Sequence, residues 1–135
     1  VWTNSVTGAR AIWLMDGTSF ISGVDLGTVV VAEQVAGTGD FNADGQTDIL
    51  WQNTTTGART IWLMNGTIHT STVTLGTYAP EWSIVGTGDY NADGKPDLLW
   101  QNTVTGERAI WLMNGTTFLS SVAVGTYDNS WAIRN

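Results

Sequence analysis

The sequence predicts an all-β fold made of repeated four-stranded antiparallel sheets. Three observations predict it: an internal repeat, short apolar stretches of strand length, and glycine-containing turn dipeptides between those stretches. Two such turns recur in every repeat, which leaves no room for a helix of ordinary length. We therefore expect sheets and tight turns along the whole chain.

The repeat is visible when the chain is compared with itself. Segment 51–66 returns as 100–115, an offset of 100 minus 51, or 49, and 13 of the 16 aligned residues are identical. A first copy begins at Trp2, again 49 residues upstream of Trp51. A period of this length is typical of the blades of repeat proteins. A β-sandwich of unrelated strands is the alternative, but it does not predict a repeat.

Each repeat contains four candidate strands separated by turn residues. In the third copy we place them at 82–85, 97–101, 108–113 and 118–124. All four are short apolar stretches separated by turn residues, which is typical of antiparallel strands. The same four stretches recur in the second copy, so each repeat is expected to form one sheet.

Two turns in each repeat carry a recognisable chemistry. The dipeptides between the third and fourth strands favour a type I′ hairpin, in which both central residues have positive φ. A glycine between the second and third strands can adopt the left-handed conformation. The dipeptides are Asp16-Gly17, Asn65-Gly66 and Asn114-Gly115, and the single glycines are Gly8, Gly57 and Gly106.

The third strand of each repeat is apolar on both faces. Ile110 and Leu112 point to one side, while Trp111 and Met113 point to the other. In a sheet with one solvent-exposed face, apolar and polar residues would alternate along each strand. Both faces of this strand are therefore expected to be covered by other sheets. Four-stranded sheets stacked around an axis form the blades of a β-propeller, which is the predicted architecture.

The chain is predicted to be a single repeat domain over 1–135. Its parts are an incomplete blade at 1–30, blades at 31–79 and 80–128, and an unpaired first strand at 129–135. Three periods make 147 residues, and 147 minus 12 is 135, so one loop region is missing from the repeat.

Three blades are too few for a closed ring, because propellers have roughly four to eight. We therefore expect the ring to be closed by oligomerisation, with the unpaired strand completing the incomplete blade of a neighbouring copy. A homodimer with six blades is favoured, and a trimer with nine is the alternative.

Composition excludes several classes of partner. Five Lys and Arg stand against twelve Asp and Glu, a net charge of -7, which disfavours nucleic acid. No apolar stretch approaches the roughly 20 residues that a membrane-spanning helix needs, so no membrane partner is expected. Because the chain has no cysteine, disulfides and thiolate metal sites are excluded.

Two acidic loops are candidate metal sites. Residues 40–48 recur as 89–97, with oxygen-bearing side chains at loop positions 1, 3, 5 and 9 and glycine at position 6. Positions 1 to 6 reproduce the first half of an EF-hand loop, which predicts Ca²⁺, with the backbone carbonyl of position 7 as a further ligand. Turns without an ion are the alternative. The candidate ligands are Asp40, Asn42, Asp44, Gln46 and Asp48 in the first loop, and Asp89, Asn91, Asp93, Lys95 and Asp97 in the second.

Segments 37–51 and 86–100, with their Asp-x-Asn-x-Asp-Gly-x-x-Asp loops, resemble the FG-GAP or VCBS repeat. Blades of this kind are similar to those of the integrin alpha-subunit propeller and of integrin-like fungal and bacterial lectins. The resemblance covers essentially the whole chain. It implies calcium at both loops, an extracellular or cell-surface location, and about six to eight blades. The three-blade length departs from that pattern. Because the copies are nearly identical and the repeat is cut inside the loop, the chain is also expected to be an engineered or excised fragment of a longer propeller.

A binding or scaffold module is expected rather than an enzyme. The nearly symmetric chain lacks the unique acid-base constellation of an active site, and its one histidine, His69, is phenylalanine in the other copies.

Trp82 and Trp131 are the candidate ligand-binding residues, because Glu33 at the equivalent position indicates that this site tolerates exposure. The lectin resemblance implies that such rings stack on glycans. Packing between blades is the alternative role of the tryptophans, and a scaffold with no ligand beyond calcium and itself also stays open.

Overall fold

The computed structural model describes residues 1–128, 130, 131 and 133. Within these residues the chain forms eleven β-strands and no helix, which confirms the all-β prediction. No helix there is long and apolar enough to span a membrane. The strands are β1 (Trp2–Thr3), β2 (Ala9–Asp16), β3 (Ser19–Thr28), β4 (Glu33–Gly39), β5 (Asp48–Asn53), β6 (Ala58–Asn65), β7 (Ile68–Thr77), β8 (Trp82–Gly88), β9 (Asp97–Asn102), β10 (Glu107–Asn114) and β11 (Thr117–Thr126).

The strands form three antiparallel sheets in which neighbours in sequence are neighbours in space. Sheet 1 contains β1 to β3, sheet 2 contains β4 to β7, and sheet 3 contains β8 to β11. The four strands predicted for the third repeat coincide with β8 to β11, apart from ends that extend by one to three residues. The repeat therefore corresponds to one sheet, as predicted.

The hairpin turns differ from the predicted type I′. Asn65 pairs with Ile68, so the loop consists of Gly66 and Thr67. Only Gly66 has a positive φ, of 60°. A positive φ at the first central residue alone is the pattern of a type II′ turn. The prediction was wrong because the asparagine stays paired in the strand and the glycine takes the first loop position; Gly17 and Gly115 repeat this arrangement.

The predicted left-handed glycines between the second and third strands are confirmed. Gly57 has a φ of 78°, and Gly8 and Gly106 have φ values of 75° and 76°. A Cβ atom on Gly57 would lie 1.7 Å from the carbonyl oxygen of Tyr78. The position therefore excludes a side chain by contact as well as by backbone conformation.

Sheet 2 lies between sheets 1 and 3 and is covered on both faces. On one face Ile49 and Trp51 pack against sheet 1, and on the other Leu50 and Ile61 pack against sheet 3. The prediction that both faces of the third strand are covered is thus correct for β6. It is wrong for β2 in sheet 1, where Trp13 and Met15 are exposed because no sheet covers their outer face in the described structure.

The predicted unpaired strand at 129–135 falls largely on residues 129, 132, 134 and 135, which lie outside the described part of the chain. Trp131 is described, is exposed, and belongs to no strand. The number of blades and the closure of a ring stay predictions.

Candidate functional site

The two acidic loops connect the first and second strands of sheets 2 and 3. Residues 40–47 join β4 to β5, and residues 89–96 join β8 to β9. Each loop contains one alanine with positive φ, 60° at Ala43 and 62° at Ala92. Side-chain oxygens stabilise this backbone by accepting hydrogen bonds from the N–H groups of the loop.

Three side chains of the first loop converge on its backbone. The N–H of Asp44 donates to Oδ1 of Asp40 and to Oδ1 of Asn42, both at 3.1 Å. Oδ2 of Asp40 accepts from Gly45 at 2.8 Å, and Nδ2 of Asn42 donates to Oδ2 of Asp44 at 2.8 Å. Because two oxygens share one N–H donor, the side chains at loop positions 1, 3 and 5 lie together on one side of the turn.

The second loop has the same geometry at the equivalent positions. The N–H of Asp93 donates to Oδ1 of Asp89 and of Asn91, both at 3.0 Å. The N–H of Gly94 donates to Asp89 Oδ2 at 2.8 Å. These backbone hydrogen bonds, that from Gly94 first, lower the pKa of Asp89 below its ordinary value of 3.8. Asp89 is therefore ionised at neutral pH, as a cation ligand must be.

The carboxylates at loop position 9 have a different environment. Asp48 is fully buried and accepts one backbone N–H on each oxygen, from Phe41 at 2.8 Å and from Met64 at 2.9 Å. Asp97 repeats these contacts with Tyr90 and Met113, both at 2.9 Å. Each of these aspartates therefore ties the start of its loop to the third strand of its sheet.

The residues at loop position 7 fasten each loop to a hairpin. Oε1 of Gln46 accepts a hydrogen bond from the N–H of Gly66 at 3.1 Å. Nζ of Lys95 donates to Oδ1 of Asn114 at 2.6 Å. In each sheet, the side chain at loop position 7 thus bonds the loop to the hairpin between the third and fourth strands.

The chemistry of the donor set is that of a hard cation. Each loop presents two carboxylates and one amide oxygen at positions 1, 3 and 5, which suits Ca²⁺. No group of three or more His, Cys, Asp or Glu side chains lies in a metal-holding arrangement within residues 1–128, 130, 131 and 133. Asp48 and Asp97 accept hydrogen bonds from backbone N–H groups. Their oxygens keep further lone pairs, with which position 9 would support a cation bound by the side chains at positions 1, 3 and 5.

Trp82 lines an aromatic cavity of about 250 Å³ between sheet 3 and the segment that joins β7 to β8. The rings of Tyr78, Trp100 and Trp111 line the same cavity, with centroids 4.6 to 5.4 Å apart. The buried indole N–H of Trp100 has no hydrogen-bond partner in the described structure. Trp131, the other candidate, is 70% exposed.

Sequence reasoning missed an arginine that connects each sheet to the next. Arg10 in sheet 1 donates to the carbonyl of Glu33 in sheet 2, and its guanidinium lies 4.1 Å from the ring centroid of Trp51. Arg59 in sheet 2 makes the equivalent contacts with the carbonyl of Trp82 and with the ring of Trp100, at 5.4 Å. We name this combination the arginine clamp: one guanidinium bound to a carbonyl and a tryptophan ring of the following sheet.

Burial lowers the pKa values of Arg10 and Arg59, and the carboxylate of Glu33, 3.5 Å from Arg10, opposes the shift at Arg10. The sequence did contain a signal for the clamp. Three of the five basic residues, Arg10, Arg59 and Arg108, occupy one position of the repeat.

Comparison with known proteins agrees with the repeat organisation. No curated protein matches the chain, and no solved structure does. A family model described as the FG-GAP-like repeat matches residues 40–100, which run from the first acidic loop to the second. Residues 40–100 are therefore FG-GAP-like repeat sequence, as the resemblance implied.

Proposed function

We propose that the chain is a non-catalytic, calcium-binding β-propeller module of FG-GAP-like repeats. The observation that carries the proposal is the convergence of Asp40, Asn42 and Asp44 oxygens on one side of a turn, repeated at the second loop. A cation there would neutralise carboxylates that otherwise repel one another. An extracellular or cell-surface location, where calcium is plentiful, accompanies this function.

The role of calcium in this proposal is structural. Each loop connects two paired strands, and Asp48 and Asp97 already tie the loop ends to the sheet. An ion bound at positions 1, 3 and 5 would fix the rest of the turn. Because the ion binds the folded loop, it adds about 2.7 kcal/mol of stability at a concentration 100 times its dissociation constant.

Calorimetry with calcium and with a chelator tests the proposal. Calcium is expected to raise the melting temperature by several degrees, and chelator is expected to lower it. The double variant Asp44→Asn/Asp93→Asn should lose most of the calcium response. Asp16→Asn, which removes one carboxylate outside the loops, is the control and should keep it. An equal melting temperature in calcium and in chelator would contradict the proposal.

Carbohydrate binding is a second candidate function, favoured by the cavity at Trp82. Aromatic faces stack on sugar rings, and the rings of Tyr78, Trp82 and Trp111 line the cavity. On a glycan array, Trp82→Ala is expected to abolish binding. Val6→Ser, which removes an exposed apolar side chain outside the cavity, is the control and should retain it. If the unmodified chain binds no glycan, the scaffold alternative is favoured.

We also propose that copies of the chain associate, with the six-bladed dimer favoured. Residues that are buried between sheets inside the chain have equivalents that are exposed on the outer faces of sheets 1 and 3. Extended apolar surface of this kind marks a contact with another protein surface.

A further inference from the structure

The two junctions inside the chain share one design. At each junction an arginine, from β2 in sheet 1 or from β6 in sheet 2, contacts a carbonyl of the following sheet. Its guanidinium also lies over a tryptophan ring in the second strand of that following sheet. Trp51 is 1% exposed and Trp100 is 2% exposed under these contacts. Each internal junction thus joins the arginine-bearing face of one sheet to the tryptophan-bearing face of the next sheet.

The outer face of sheet 1 carries the tryptophan half of a clamp without its arginine. Trp2 occupies the same repeat position as Trp51 and Trp100, yet it is 54% exposed. Met15 is likewise exposed, whereas its equivalents Met64 and Met113 are buried. This face therefore has the residues of a junction, and no guanidinium covers them in the described structure.

The outer face of sheet 3 carries the arginine half without its tryptophan. Arg108 donates to the carbonyl of Trp131 at 2.6 Å, so the carbonyl contact of the clamp is present. Its guanidinium lies 4.9 Å from the ring centroid of Tyr127, a residue of its own repeat. Val122 and Val124 beside it are exposed, whereas the equivalent Val73 and Leu75 pack in the core.

We infer that a second copy of the chain docks head to tail, with Trp2 of one copy under Arg108 of the other. The inference rests on the proposed association and specifies its surface. Cation–π contact and apolar burial would then match those of the two internal junctions. Because the two faces differ, the interface is heterologous, and two copies related in this way close a ring through two identical contacts.

Sedimentation velocity of the full chain and of single variants tests the interface. The unmodified chain is expected to have about twice the mass of 14.5 kDa. Trp2→Ala and Arg108→Ala are each expected to raise the dissociation constant about tenfold or more. Val6→Ser, which removes a very exposed apolar side chain outside both faces, is the control and should associate normally. Thermal melts of all variants verify that each one folds.

Mixing the two variants tests the head-to-tail arrangement. The Trp2→Ala chain keeps an unmodified Arg108 face, and the Arg108→Ala chain keeps an unmodified Trp2 face. An equal mixture is therefore expected to form a mixed dimer through one intact contact, although neither variant associates well alone. Absence of the mixed dimer would overturn the arrangement.

The outcomes separate this inference from the association on which it rests. A monomeric unmodified chain would overturn both. An unmodified dimer that persists in Trp2→Ala and Arg108→Ala would leave the association standing and overturn the interface.

Discussion

The two junctions between sheets differ in size although both contain an arginine clamp. Between sheets 1 and 2, the fully buried hydrophobic residues are Ile49, Trp51 and Met64, all from sheet 2. Between sheets 2 and 3, both sheets contribute buried residues and the first strands β4 and β8 approach each other closely. The clamp is therefore the common part of a junction, and the first strand with its acidic loop accounts for the additional core.

Phe41 shows how the acidic loop enlarges the second junction. Its side chain is 1% exposed and packs among core residues of sheets 2 and 3. Tyr90, at the same position of the second loop, is 43% exposed because no sheet follows sheet 3 in the described structure. One repeat position is thus buried at Phe41 and partly exposed at Tyr90, so the same substitution can be compared in the two environments.

The largest predicted effect is that of removing the aromatic ring at this position. Phe41→Ala should lower the free energy of unfolding by about 3–5 kcal/mol, because it leaves a cavity in a closed core. Tyr90→Ala should cost about 1 kcal/mol or less, because its ring is partly solvated. Urea denaturation of both variants measures the difference. Equal losses would mean that the loop residue does not depend on the neighbouring sheet.

A smaller effect is predicted at the hairpin glycines. Gly66 and Gly115 have φ values of 60° and 62°, so alanine costs about 1–2 kcal/mol of backbone strain at either position. A Cβ at Gly115 would also lie 2.7 Å from the carbonyl oxygen of Phe41, whereas nothing lies near Gly66. Gly115→Ala should therefore be the more destabilising variant, by about 1 kcal/mol.

Thermal unfolding of the two alanine variants measures this contact between the sheets. Because the strain is common to both, it cancels in the comparison. A lower melting temperature for Gly66→Ala than for Gly115→Ala would contradict the prediction.

The smallest predicted effect concerns a hydrogen bond between β4 and β8. Oγ1 of Thr87 donates to the carbonyl of Thr38 at 2.9 Å. Thr87→Val keeps the shape and removes the donor, so it should cost about 0.5–1.5 kcal/mol. Thr38→Val leaves the accepting carbonyl in place and should change the stability little. Urea denaturation measures the free energy of unfolding of both variants, and an equal loss in the two would contradict the prediction.

Much of the fold could be predicted from the sequence because its turns are marked by glycine, asparagine and aspartate. The strands of the third repeat follow directly from those marks. The hairpin type could not be predicted, since the dipeptide does not reveal whether Asn65 or Gly66 begins the loop. Pairing of Asn65 with Ile68 decides it.

The candidate site was predicted less completely than the fold. Loop spacing locates Asp40, Asn42 and Asp44, whose side chains do lie together. It does not give the direction of Asp48, which faces two backbone N–H groups. The clamp was missed because Arg59 and Trp100 lie 41 residues apart, 100 minus 59, and only the packing of one sheet on another brings them together.

The spacing within the arginine clamp has a consequence for how the molecule folds. Arg10, Arg59 and Arg108 each donate to a carbonyl 23 residues further along the chain. The bond that begins a junction can therefore form soon after a third strand and the following first strand have been synthesised. The contact spans about half of one 49-residue repeat, so folding can propagate from one repeat to the next. Neighbouring sheets can therefore dock on one another without contacts from distant parts of the chain.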